Sequence, residues 1–166
     1  LLAAVTAINN VAIGGDAMKT ATAGDGNVAV GAFAMDASTT STTNVAVGLD
    51  ALGATTTGSA NVAIGSSAMK ATVSATNSVA VGKDAMLVAT AGDNNVAVGS
   101  TAMNASTTST NNVAVGFNSM GATTTGSANV AVGANALAAT VSATNSVAVG
   151  KDAMLVATAG DNNVAV

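Results

Sequence analysis

Apolar and polar positions recur along this chain with a period of 17 residues. The run Asn-Val-Ala-Val-Gly occupies residues 27–31, 44–48, 95–99, 112–116 and 129–133. With Ile in place of the second Val it is found at 10–14 and 61–65, and with Ser in place of Asn at 78–82 and 146–150. A truncated copy, Asn163 to Val166, ends the sequence. The glycines are Gly14, Gly31, Gly48, Gly65, Gly82, Gly99, Gly116, Gly133 and Gly150, each 17 residues from the next. A fixed period with no insertion is the signature of a stacked repeat and outweighs any local propensity.

Counting forward from each Gly, the first two positions vary most and are expected to face solvent. The third is Ala, with Ser119 as the exception. The fourth is Met or Leu throughout, from Met18 to Met154. The sixth is mostly Ala, and the eighth is always β-branched, as at Thr22, Val73 and Thr158. Positions ten to twelve hold Gly, Ser, Asp, Asn, Thr and Ala, a turn composition. Positions four, six and eight alternate, and so do the two Val positions, so the period within a coil is two. No stripe at 3.6 residues is present, and Gly and Thr clusters recur too often for a helix. Each coil is therefore expected to be two short strands and two turns. Val, Val, Met and Thr should line a thin interior, with the Ala between the valines pointing away. On that reading Val115→Asp collapses the stack and Asp50→Ala is nearly silent. Nine to ten coils stacked at about 4.8 Å make a rod of roughly 45 Å.

Stacking places Asn10, Asn27, Asn44, Asn61, Asn95, Asn112, Asn129 and Asn163 in one column. Such side chains form amide ladders along a stacking axis, with Ser78 and Ser146 as shorter interruptions. The glycine column fits a corner that needs φ > 0 or has no room for a Cβ. A longer period lies on top: residues 83–98 and 151–166 are identical, so a block of four coils is duplicated. The sequence begins and stops inside a repeat, which suggests one solenoid segment, residues 1–166, of a longer array without its capping ends. Residues 1–14 align with 137–150.

Composition narrows the function classes. Charged residues make up 7% and aromatic ones 1%, with no Cys, Pro, Trp, Tyr or His. Low charge with 49% apolar residues does not fit disorder, and Gly, Asn or Thr interrupts every apolar run before it reaches the length of a membrane helix. The net charge of −4 speaks against a nucleic-acid partner, which needs a basic surface. Without His, Cys, Glu, Arg or Tyr the chain has no set of groups for acid–base or nucleophilic catalysis. No enzyme, cofactor or metal site is therefore expected. Asp25, Asp93 and Asp161 recur in Gly-Asp-Gly/Asn-Asn; one carboxylate per four coils is thin for Ca²⁺, and a hydrogen-bonding turn residue is the simpler reading. Asp16, Asp50, Asp84 and Asp152 are expected to be solvated. The methionine column reads as core. Phe33 and Phe117, at the exposed corner, are the candidates for contact with a partner.

The iterated Asn/Ser-Val-Ala-Ile/Val-Gly unit with its Ala-rich second segment resembles the head repeats of trimeric autotransporter adhesins. The coil here is longer than is usual in that family. The stretch from Ala51 to Ala63 also resembles repeats of bacteriophage tail fibres and other long surface fibres. The resemblance implies an all-β fold, a parallel β-solenoid or β-roll of one 17-residue coil per repeat, left-handed and in a parallel homotrimer. It also implies a structural and adhesive role on a cell or virion surface, with self-assembly, a host-surface or matrix receptor as partner, and no membrane insertion in this segment. The Thr-rich rows, such as Thr39-Thr40, Thr55-Thr56-Thr57 and Thr123-Thr124-Thr125, offer a different function, ice binding on a flat solenoid face. Thermal hysteresis would separate the two.

Overall fold

The structure is a computed structural model and describes residues 7–139, 141–156 and 160–166. Thr158 and residues 1–6 of the N-terminal alignment lie outside them. The described residues form a parallel β-solenoid of about nine turns, all-β, with one sheet of ten strands in sequential order from β1 (Val11–Ile13) to β10 (Val164–Ala165). Every strand pairs with the next in a register of 17: Val45 with Val62, Ala46 with Ala63, Val47 with Ile64.

Two features differ from the sequence expectation. The first is the number of strands. Each coil holds one strand, of three residues in β1 to β9 and two in β10, and the segment that includes positions four to eight is turns and irregular backbone. Position four breaks the pleat: Met18, Met35, Leu52, Met69, Met86, Met103, Met120, Leu137 and Met154 all have φ between 50° and 52°. A residue in the left-handed region redirects the chain, so alternation stops there. Consecutive side chains, Ala17 and Met18 for example, then both point inward. Inter-coil hydrogen bonding continues around the coil all the same. The amides of Met69, Ala71 and Val73 donate to Ala85, Leu87 and Thr90 of the next coil at 2.9, 2.9 and 3.1 Å.

The second is the direction in which the strands face. Ala29, Ala46, Ala63, Ala80, Ala97, Ala114, Ala131 and Ala148 are fully buried, while the valines beside them are half-buried or exposed. The interior is narrow because methionine and leucine side chains fill it from the opposite wall; they are the largest fully buried side chains. Only a methyl group fits across from them, so the bulkier β-branched residues go outside. The inward set is the alanines at positions three and fifteen, Met or Leu at four, small residues at seven and ten, and Asn or Ser at thirteen. The β-branched column at position eight also points outward. Its threonines still serve the stack: the hydroxyls of Thr39, Thr90 and Thr107 each donate to a carbonyl of the following coil at 3.0 Å.

Position seven is the weak point of the interior. The buried hydroxyls of Thr55, Thr72 and Thr123 have no hydrogen-bond partner, whereas Ser38 and Ser106 at the same position bond to Ser41 and Ser109. A buried hydroxyl without a partner loses its solvation for nothing. Thr72→Val keeps the shape and removes the oxygen. The variant is expected to be more stable by about 1 kcal/mol, read as a higher urea midpoint with an unchanged slope.

Candidate functional site

Two ladders hold the coils together and set the geometry of the surface. In the first, each Asn reaches forward to the next coil. Asn44 Nδ2 donates to the carbonyl of Gly58 at 2.9 Å, and Asn44 Oδ1 accepts from the amide of Asn61 at 2.8 Å. Asn10, Asn27, Asn95, Asn112 and Asn129 repeat this clamp, and Asn61 does so onto Ala75 and Ser78. One side chain thus ties both ends of the following turn. Asn163, in the last strand's coil, donates its amide to Ser146 Oγ at 3.4 Å. Ser78 makes a looser clamp. Its Oγ accepts from the amide of Asn95 at 3.2 Å, and its one proton is shared between the Thr76 carbonyl at 3.2 Å and the Gly92 carbonyl at 3.4 Å. Since Asn44 faces the same arrangement, a glycine ten places into the next coil, Ser78→Asn fits there. It is expected to raise stability by about 1 kcal/mol, the worth of one well-formed hydrogen bond, measured in a chemical melt.

The second ladder is the glycine corner. Gly14 through Gly150 have φ between 127° and 139°, which side chains rarely adopt. At each from Gly14 to Gly133, a Cβ would also meet the backbone of the next glycine.

The remaining corners take left-handed residues without glycine. Position two (Asp16, Phe33, Asp50, Ser67, Asp84, Thr101, Asn118, Asn135, Asp152) lies at φ 52–58°. Position twelve does the same with Asn77, Asn94, Asn111, Asn145 and Asn162, among others. Asp and Asn tolerate this region best, so their frequency at these places was a conformational signal that a reading in terms of solvent exposure missed. Asp50→Ala accordingly places an alanine in a left-handed corner, and Asp50→Asn is the milder change.

Most of the charge and most of the variation fall at three positions of the coil. When the two four-coil blocks are compared, differences fall mainly at positions one, two and five, as at Phe33/Thr101, Leu49/Phe117, Asp36/Asn104 and Lys70/Ala138. All four lysines and five of the eight aspartates are also there. Phe33 and Phe117 are 42% and 59% exposed. They sit five coils apart, so they do not form one cluster. The aspartates expected to be solvated each lie beside a lysine: Asp16–Lys19 at 3.5 Å, Asp50–Lys70 at 3.0 Å, Asp84–Lys83 and Asp152–Lys151 at 3.5 Å. Such exposed pairs contribute little. The hydrogen bond from Asn135, 2.9 Å from Asp152 Oδ1, and then Lys151 lower the Asp152 pKa. Asp25, Asp93 and Asp161 sit in turns, but their bonds reach across coils and are not local. Their Oδ1 atoms accept the amides of Ile8, Thr76 and Thr144 in the preceding coil at 2.8, 2.7 and 3.0 Å. Hydrogen bonding with Thr144 lowers the Asp161 pKa.

Among the described residues no group of three His, Cys, Asp or Glu is placed to hold a metal, and no helix is long and apolar enough to cross a membrane. The outward valines complete the surface. Val11, Val28 and their successors make one column along the sheet, and Ile13, Val30 and theirs make a second. Ten strands about 4.8 Å apart and roughly 10 Å wide give an apolar strip of about 500 Å², the size of the largest apolar patch on an ordinary monomer, which is often functional. Comparison of the chain with protein-family models, curated proteins and solved structures finds no match in any of the three.

Proposed function

We propose that this solenoid is a structural and adhesive module of an extracellular fibre, borne on a cell or virion surface, in which the chain associates with copies of itself. The observation that carries this reading is the apolar strip. An uninterrupted double column of Val and Ile along one side of a rod suits burial against like surfaces. The resemblance to adhesin head repeats and tail-fibre repeats points to three parallel chains around a common axis. The variable edge at positions one, two and five then faces outward, where it is free to contact a host-surface or matrix receptor, while the clamped interior supplies stiffness and length.

Sedimentation equilibrium tests the association. The expected mass is three times the 15.4 kDa of the chain. Val47→Asp with Val115→Asp is expected to give a folded monomer, because both side chains lie on the outer face. A monomeric parent chain, or an open polymer of indefinite mass, would overturn the trimer. Ice binding draws less support. Position eight is the longest threonine column, and several of its hydroxyl protons are already committed to carbonyls of the following coil. Absence of thermal hysteresis is the expected outcome.

A further inference from the structure

Asp36 stands apart from the other acidic residues. Among the described residues four aspartates lie beside lysines, and three accept amides of the preceding coil. Asp36 has neither; the Ala37 amide donates to the Gly53 carbonyl at 3.1 Å. Asp36 lines a surface cavity of about 400 Å³ with Asp50, Gly53, Lys70, Leu87 and Val88. The floor is low because Gly53 has no side chain and its neighbours at position six are alanines. Lys70 is paired with Asp50 at 3.0 Å and Lys19 with Asp16 at 3.5 Å, so the cavity keeps one carboxylate without an ion pair of its own. Partial burial, the largest influence on Asp36, raises its pKa, and Asp50 adds to this, while the Ala37 amide and the charge of Lys19 lower it: the carboxylate has lost solvent and has no cation in direct contact.

The duplicated block provides an internal comparison. There the three charged positions are Asn104, Asn118 and Ala138, while Gly121, Leu155 and Val156 keep the apolar character. The Asn118 side chain lies over Gly121 and donates to Asn135 Oδ1 at 3.1 Å, so the equivalent space is covered. Among the described residues the charge belongs to the first block alone.

We propose that this cavity receives a lysine or arginine side chain of a partner polypeptide, its alkyl stem along Leu87 and Val88 and its cationic head on Asp36. This rests on the outward-facing edge of the proposed fibre and names what that edge takes. Concave sites that are largely apolar, with a few placed polar groups, hold ligands in this way, and a charge-assisted bond fixes the head. A polypeptide fits better than a free amine because the site is open, with the Lys70 side chain 48% exposed. Phe33 and Leu49, both exposed, lie at corner positions of the two coils that carry Asp36 and Asp50 and offer contact to the residues next to the cation.

The test is an amide-resonance titration of the whole chain with the capped peptides Gly-Arg-Gly and Gly-Lys-Gly, with Gly-Nle-Gly (norleucine) and butylammonium as the comparison probes. Shifts are expected at Gly53, Ala54 and Lys70 and not at Gly121, Ala122 and Ala138. Asp36→Asn, which installs the residue found at 104, is expected to weaken binding about tenfold or more, the loss of one charge-assisted bond. Lys70→Ala is expected to strengthen it by freeing Asp50. Equal shifts in both blocks, no saturable shifts with either cationic peptide, or indifference to Asp36→Asn would overturn the proposal. Norleucine binding as well as arginine or lysine would overturn the role of the charge, and butylammonium matching the peptides would overturn the polypeptide partner. A monomeric mass would overturn the fibre's trimer without altering this readout, and a flat titration would leave the mass unchanged.

Discussion

Gly82→Ala is expected to unfold the middle of the rod, lowering stability by about 3 kcal/mol or more, since backbone strain and steric overlap act together. Gly82 has φ +136°, outside the left-handed basin that Asp or Asn enters easily. An added Cβ would lie 2.5 Å from the carbonyl oxygen of Gly99 and 2.6 Å from its carbon. Those atoms are backbone and part of the ladder, since the Gly99 amide donates to Val81 at 2.8 Å. Moving them lifts one coil off the next. The matched control is Gly15→Ala, where nothing lies within 4 Å of the new Cβ. Urea melts followed by circular dichroism read both. A Gly82→Ala midpoint equal to that of the parent would refute the close approach of the corners.

The second large effect separates two adjacent residues. Ala114→Asp should abolish folding of its neighbourhood, while Val115→Asp should cost about 1 kcal/mol or less in the isolated chain. Ala114 is 0% exposed, between Ala97 below and Ala131 above. A carboxylate there has no cation to meet, and an unpaired buried charge belongs to the few changes that exceed about 4 kcal/mol. Val115 is 36% exposed on the outer face, where a polar side chain keeps its water and only pairing with Val98 and Val132 weakens. The order is the reverse of what side-chain size alone suggests. In the fibre proposed above, Val115→Asp would become the disruptive change, because it would place a charge in the apolar strip.

The reversal shows where the sequence was readable. Stacking, the 17-residue register and the all-β class followed from glycine spacing, because a ladder tolerates no slip. Columns of Asn and Gly followed as well, since only stacking explains identical residues at fixed intervals. Which way the strand faced did not follow from hydrophobicity. Alternation gives two faces and not their order, and the larger aliphatics were assigned inward. A clue was present in the repeats themselves. The central strand residue is Ala in every copy, whereas Val and Ile exchange beside it at residues 13 and 64. An interior closed by methionine tolerates one methyl, and an open face tolerates either branched residue. The missing second strand had a cause that periodicity does not register, the left-handed conformation of Met and Leu at position four. The cavity beside Asp36 was equally hidden, because it depends on residues from four successive coils: Asp36, Asp50, Lys70 and Leu87.

The forward grip of the asparagine side chains on backbone makes the rod a vector. Each carboxamide from Asn10 to Asn129 binds the backbone of the coil that follows with both its donor and its acceptor, as Asn44 does. Its only bond to the coil before, where it has one, is a longer one from Nδ2 to the neighbouring carboxamide, as at Asn44. A cut between two such coils therefore exposes unlike surfaces: amide side chains on one, a bare turn on the other. Copies of such a body can continue one another head to tail but find no match head to head. Its length can change by whole multiples of 17 residues, whereas any other insertion leaves one carboxamide facing the wrong turn.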